Sequence, residues 1–215
     1  MSRDLDDARD EMAVLKSMRM FVFPAYSSPI YGIAFSVSFW CWLLFEVWVF
    51  SRDRGKQKTS ARGSALWFVL LLAVGITLAF NLPAIAPGFD IGAPFVVYFV
   101  IGLVLMWAGI ALRFWAIQTL GRLFSTSLLI QESHELITTG PYKLLRNPSY
   151  TAALITFLGF GLAAGNWLSA AVLLLMSLVT YVLRIRLEEK MLIGAFGQAF
   201  ADYKKRSWAL IPFVW

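Results

Sequence analysis

The chain has 215 residues, 59% of them apolar or aromatic and 15% charged, with a formal net charge of +6 and only one cysteine and one histidine. That composition lies well outside the averages for soluble domains and places the chain in a bilayer. Cys41 sits inside an apolar run, which excludes a disulfide framework or a cysteine-rich metal site. The basic residues gather at the ends of apolar runs, where anionic lipid headgroups are better partners than nucleic acid.

In chain order, the polar N-terminal tail (residues 1–29) mixes Arg3, Arg9, Lys16 and Arg19 with Asp4, Asp6, Asp7, Asp10 and Glu11. The apolar run behind it is of full span length rather than a short signal-peptide core, so the expectation is an anchor that stays. A spanning helix takes roughly 20 mostly apolar residues. Stretches near Ile30 to Phe50, Ser64 to Leu82 and Pro94 to Ile117 meet that demand, and residues 30–105 form an N-terminal membrane region. Two more follow near Tyr150 to Ala164 and Trp167 to Leu183, separated only by Gly165 and Asn166. So short a link predicts a tight helical hairpin, with Gly159, Gly161 and Gly165 letting its backbones approach. The fold class expected is an all-α integral membrane protein of about five transmembrane helices, without internal repeats or a second domain.

Short cytoplasmic loops carry the excess of lysine and arginine. Arg52, Arg54, Lys56, Lys58 and Arg62 crowd the first loop, whereas the Leu82–Pro94 loop and the Gly165 turn have none. The alternation puts Gln118 to Ser149 and the C-terminal tail in the cytoplasm and the N-terminus outside. The mixed charges of the N-terminal tail weigh less than the loops.

His134 to Tyr150 is the polar passage, punctuated by glycine and proline, between the long apolar runs. Proline suits the first helical position and restricts the residue before it, so Asn147-Pro148 predicts a helix start with Asn147 as its side-chain cap. The free amides and positive dipole end there suit an anion, and Arg146 adds a positive charge; equally, Arg146 serves as a lipid-phosphate anchor. Gly140-Pro141 marks a turn that would fold His134 back over that helix. His134 could be a general base, a ring that only donates a hydrogen bond, or a metal ligand. No second histidine or cysteine stands at ligand spacing, so no metal site is expected.

A second cluster, Arg184 to Glu189, closes the last span. Arg184 and Glu188 are four apart and share a helical face, while Glu189 lies on a neighbouring one. The ordinary reading is a snorkelling interfacial ring. The hairpin, however, brings Pro148 and Arg184 to the same end, where their charges would complement a zwitterionic ligand. Glu46 and Arg113 are ionisable residues inside spans. Glu46 is expected to pair with the nearby basic loop and Arg113 to anchor at the interface.

Several motifs recur together: Arg113-Phe-Trp-Ala with Leu120-Gly121, His134-Glu-Leu-Ile137, Gly140-Pro-Tyr142, Arg146-Asn-Pro-Ser-Tyr150, Arg184 with Glu188-Glu189, and Phe196-Gly197 with Tyr203 and Ile211-Pro212. Over Met106 to the end, the chain resembles the isoprenylcysteine carboxyl methyltransferase family, which is related to the phospholipid N-methyltransferases. The resemblance implies that residues 106–215 are the catalytic region of an integral membrane enzyme using S-adenosyl-L-methionine. Its pocket would face the cytosol, formed by the loop before the hairpin and by the tail. Carried over by position, Gln131, His134, Glu135, Leu136, Ile137, Tyr142, Arg146, Asn147, Pro148, Ser149, Tyr150 and Glu188 would bind the cofactor, with Arg184 and Glu188 catalytic and Arg184 holding the substrate. The family's pattern has histidine at position 147; asparagine can hydrogen-bond there but cannot titrate near neutrality.

A carboxylate acceptor such as an isoprenylcysteine is already ionised, so it needs orientation rather than a base. An amine acceptor, as in phospholipid N-methylation, would need one, and His134 or Glu189 are the candidates. A small lipophilic acid or thiol is also open as acceptor. Below these stand a sterol-reductase-like enzyme using a nicotinamide, and a non-enzymatic membrane carrier, which would gather its charges at mid-membrane. The expected partners are membrane lipids and a lipophilic or prenylated substrate, with the oligomeric state open.

Overall fold

The computed structural model describes residues 28–53, 59–92, 94–124 and 136–214. They form five long helices, α1 (Pro29–Asp53), α2 (Thr59–Ile85), α3 (Phe95–Leu120), α4 (Pro148–Ala164) and α5 (Trp167–Phe196), and one short helix, α6 (Gln198–Lys205). Three stretches, Pro29–Arg52, Phe95–Leu123 and Trp167–Phe196, are long and apolar enough to cross a membrane, while α4 is a shorter apolar helix of 17 residues. Their outward faces carry large apolar side chains: Leu175, Val179 and Leu183 recur every fourth residue on α5, each more than half exposed. A continuous stripe of that kind is what a lipid-facing surface needs.

Every predicted apolar run is helical, but α5 continues thirteen residues beyond Leu183, to Phe196. Falling hydropathy marks where side chains leave the apolar layer, not where the backbone stops being helical. The helix ends where Gly197 takes φ +51, a conformation that glycine adopts without steric cost.

The bundle is knit by small residues. A Cβ on Gly102 of α3 would stand 2.5 Å from the Ala163 nitrogen and 2.6 Å from the Gly159 carbonyl of α4. One on Gly159 would meet the Gly102 carbonyl at 2.5 Å and the Met106 nitrogen at 2.6 Å. Gly159 therefore serves the α3–α4 contact, not the approach of α4 to α5 predicted for it. Gly161 does face α5, with Ala170 occupying the space a side chain would need. Gly165 is instead the left-handed cap of α4 at φ 81, its N–H donating to the Gly161 and Leu162 carbonyls.

Aromatic rings fill the centre. Phe160 of α4 packs against Phe35 of α1 at 5.2 Å and Phe80 of α2 at 5.1 Å, and Trp42 of α1 meets Phe157 of α4 at 5.8 Å between centroids. At one end, the α2–α3 loop docks on the α4–α5 turn: the Ile91 N–H donates to the Gly165 carbonyl at 2.7 Å, and the Asn166 amide donates to Asp90 at 2.8 Å. Asn166 is fully buried and also caps α5 by accepting from the Ser169 N–H. Burial raises the Asp90 carboxyl above its ordinary range, with the Asn166 hydrogen bond opposing. The two loops without basic residues thus share one end of the bundle.

Candidate active site

The other end gathers the charged residues. Helix α4 starts at Pro148 with Asn147 in the N-cap position, as proline's fixed φ dictates. The predicted side-chain cap is not made. The Asn147 amide instead donates to the Ala209 carbonyl at 3.0 Å, so this side chain ties down the tail. Thr151, one turn on, donates to the Leu210 carbonyl at 2.6 Å.

Arg146, read from the sequence either as a charge for a bound anion or as a lipid-phosphate anchor, is paired within the chain. Its Nε meets Glu189 Oε1 at 3.0 Å, and its Nη1 donates to the carbonyls of Lys204, at 3.1 Å, and of Ser207. Glu189 Oε2 takes Lys204 Nζ at 2.6 Å. This three-membered charge network ties the start of α4 and the end of α5 to the tail. The backbone assists, because Arg146 N–H donates to the Trp208 carbonyl at 2.7 Å and Trp208 N–H to the Leu144 carbonyl at 2.9 Å. Tyr203 completes the seat by donating its hydroxyl to the Tyr142 carbonyl at 2.6 Å. Burial pushes the Tyr203 phenol up to about 12, against the lowering effect of Ser207 and of the Arg146 charge. Burial likewise raises the Tyr142 phenol, with Tyr203 and Glu188 adding to the shift.

Arg184 and Glu188 form the predicted pair along one face of α5, Nε to Oε1 at 2.9 Å. Glu188 Oε1 also accepts the Tyr150 hydroxyl at 2.6 Å, joining the start of α4 to the end of α5. The Arg184 guanidinium lies 5.8 Å over the Tyr150 ring, within reach of a cation–π attraction. Tyr150 is stacked on Tyr181 at 4.8 Å and 13°.

Of the other residues singled out in the sequence, Leu136 and Ile137 are half-buried in a segment without regular secondary structure, Ser149 is half-buried in the first turn of α4, and Pro148 is buried. Gly140 takes φ +57 in the 3₁₀ turn Gly140–Lys143, set against Thr119 at the end of α3. Gln131, His134 and Glu135 lie outside the described residues, and so does the lid expected from His134.

Glu46 and Arg113 correct the expectation for both. They pair with each other, Nη2 to Oε2 at 3.0 Å, across α1 and α3. Tyr181, Thr151 and Lys204 escape a reading of the sequence. Tyr181 resembles any core aromatic, and the other two act only through a tail whose docking no local pattern announces. The one hint was the apolar run Trp208-Ala-Leu210 after a lysine-rich helix.

Residues 97–199 match the family model described as phospholipid methyltransferase. Protein-S-isoprenylcysteine O-methyltransferase B of Arabidopsis thaliana is 35% identical over 115 residues, which are 53% of this chain and 58% of that protein. Protein-S-isoprenylcysteine O-methyltransferase of Schizosaccharomyces pombe is 26% identical over 220 residues, 87% of this chain and 93% of that one. Among solved structures, the eukaryotic intramembrane Ras methyltransferase ICMT aligns with a TM-score of 0.57 and 27% identity, over 74% of this chain and 55% of that chain. The chain spans 58% and 61% of the length of the first plant relatives it matches. Fold and site together define an all-helical integral membrane protein with a charge-paired site at one end of its bundle. Within that class, the chain is similar to the protein-S-isoprenylcysteine O-methyltransferases and, over residues 97–199, to the phospholipid methyltransferase family model.

Proposed function

We propose that the protein is a membrane methyltransferase using S-adenosyl-L-methionine, with residues 106–215 as its catalytic region and an isoprenylcysteine-like carboxylate, on a prenylated protein or a small lipid, as acceptor. The convergence of α4 and α5 at Tyr150–Glu188 carries the reading, because it brings an anion-favouring helix start and a partly buried carboxylate within reach of one small molecule. Five spans, the last two a hairpin, would place this end in the cytoplasm, in keeping with the lysines and arginines gathered there.

The residues present suit that cofactor. Asn147 is turned to the tail and does not cap α4, which leaves the positive end of that helix to a ligand carboxylate. Among the described residues, Glu188 makes its two hydrogen bonds through Oε1, so Oε2 can face an ammonium or the ribose hydroxyls. Tyr142, Asn147 to Tyr150 and Glu188 would hold the cofactor, with Leu136 and Ile137 as its apolar wall; Gln131, His134 and Glu135 join by resemblance alone. When bound, S-adenosyl-L-methionine supplies an electrophilic methyl group on a sulfonium.

What the chain must add is position and dryness. Orientation alone can supply effective molarities of ~10⁵ M or more. Arg184, held by Glu188 and Tyr150, would orient the acceptor carboxylate through its planar fork. An amine acceptor would demand a base, and Glu189 is committed to two cations; that commitment favours the carboxylate. Titration calorimetry of S-adenosylhomocysteine into the purified chain tests the cofactor, and micromolar binding is expected. No binding, together with a response to a reduced nicotinamide, would overturn the reading in favour of a reductase. Mass spectrometry of membranes fed an isotopically labelled methyl donor then identifies the acceptor, a methyl ester being the expected product.

A further inference from the structure

Beyond its seat on α4 the tail makes one more turn, Ile211–Val214, which the other described residues leave largely exposed. The Val214 N–H donates to the Ile211 carbonyl at 3.1 Å, Pro212 holds the second position, and Phe213 in the third takes φ 66. That is the pattern of a type II turn, whose third position favours glycine or asparagine. Phe213 is the one non-glycine residue with positive φ among those described, and for a bulky side chain that conformation is costly. Burial within the chain does not offset the cost: Phe213 is 84% exposed and Val214 74%, with Ile211 and Leu144 about half exposed. The Phe213 ring does meet Trp208, at 5.4 Å between centroids.

Two observations indicate that lipid, not water, surrounds this patch. The first is depth. Thr151, which donates to the Leu210 carbonyl, is the fourth residue of α4, so the tail enters its turn beside the first turn of an apolar helix. At 1.5 Å per residue the 17 residues of α4 span about 26 Å, less than a hydrocarbon layer of about 30 Å. The start of α4, and the tail turn beside it, therefore lie at the boundary of that layer. The second is charge. From Gln198 to Val214 the sequence sets Lys204, Lys205 and Arg206 against the single acid Asp202. Lys204 is bound to Glu189 and Lys205 to Asp202, while Arg206 and Lys143, the neighbour of Leu144, are exposed. An apolar turn rimmed by cations suits an anionic leaflet.

We propose that the Ile211–Val214 turn is a lipid anchor, seated in the leaflet at the charged end of the bundle, with Phe213 and Val214 among acyl chains and Lys143, Lys205 and Arg206 at anionic headgroups. Asn147 and Thr151 hold the carbonyls of Ala209 and Leu210 just before the turn. The tail is thereby fastened on one side to α4 by polar bonds and on the other to lipid by apolar contact. The inference stands on this geometry and does not depend on the methyltransferase reading.

The test places the full chain, in a Cys41→Ala background with a nitroxide on Val214→Cys, in nanodiscs of phosphatidylcholine with and without phosphatidylglycerol. Power-saturation EPR compares collisions with oxygen, which dissolves among acyl chains, and with a water-soluble nickel chelate. A nitroxide on Gln198→Cys, at the exposed start of α6, is the aqueous reference. Both sites are exposed, and melting temperatures equal to the parent's confirm intact folding. The Val214→Cys label is expected at a depth of about 5–10 Å, deeper when phosphatidylglycerol is present. Phe213→Asn keeps the turn and removes the ring, and should shift the label outward; Arg206→Glu should abolish the response to phosphatidylglycerol. A label as open to the chelate as the reference in both lipids would overturn the anchor. So would protection from oxygen and chelate alike, the mark of a protein partner. Equal depth in both lipids would overturn the headgroup role of the basic residues. No arm uses the cofactor, so failure here leaves the methyltransferase reading standing.

Discussion

At the scale of single residues, the site turns on two side chains four positions apart. Glu188 joins Arg184 to Tyr150, and truncating one member of a buried hydrogen-bonded charge pair typically costs about 2 kcal/mol or more of binding. Glu188→Ala is accordingly expected to weaken S-adenosylhomocysteine binding by about thirtyfold or more. Unchanged affinity by calorimetry would remove Glu188 from the pocket. Arg184→Ala should leave cofactor affinity within a few-fold while raising the acceptor KM or cutting turnover, and Arg184→Lys should restore only part, because a point charge lacks the planar fork. Methyl transfer at the unaltered rate in Arg184→Ala, with every acceptor tried, would contradict its role. The pair was legible in the sequence because a spacing of four is a property of the helix alone. Arg146 with Glu189, 43 residues apart, was not, since that contact exists only once the start of α4 and the end of α5 have come together.

At the scale of elements, glycine decides how closely helices lie. In Gly159→Ala the new Cβ would meet α3 backbone atoms at 2.5 and 2.6 Å, so the helices must part. Overpacking of this kind typically costs about 1–3 kcal/mol, and a lower melting temperature in detergent is expected. Gly194, inside α5, is open: a Cβ added there would meet nothing within 4 Å, and Gly194→Ala should gain roughly 0.5–1 kcal/mol from helix propensity. Equal melting temperatures for these two variants would contradict the α3–α4 packing described.

The tail offers a pH test. The Tyr203 phenol is raised in the folded chain to about 12, from about 10 when unfolded. Its protonated form is favoured by folding, so its contribution is fully present below about pH 10 and is lost as pH rises from about 10 through about 12. Tyr203→Phe should cost about 1 kcal/mol at neutral pH and reduce the loss of melting temperature across that alkaline window. An alkaline slope identical to that of the unaltered chain would dissociate Tyr203 from tail docking.

At the scale of the whole molecule, the bundle has two unlike ends. One is closed by loops without basic residues through Ile91, Gly165 and Asn166, and the other gathers the charge pairs and is capped by the tail. In a Cys41→Ala background, an impermeant maleimide should label Gly92→Cys only from outside the cell and Arg206→Cys only from the cytoplasmic face. Labelling of both from one face would contradict the orientation.

The sequence by itself determined the helices, the bilayer, the start at Pro148 and the Arg184–Glu188 face, because hydropathy, proline geometry and helical spacing act over a few neighbouring residues. Tertiary structure alone decided which helix Gly159 serves, that Asn147 holds the tail instead of capping α4, that Glu46 finds Arg113, and that Tyr181 stacks on Tyr150. Those outcomes depend on which surfaces meet across dozens of residues, and a buried charge takes whichever partner the packing of the whole bundle brings within about 3 Å.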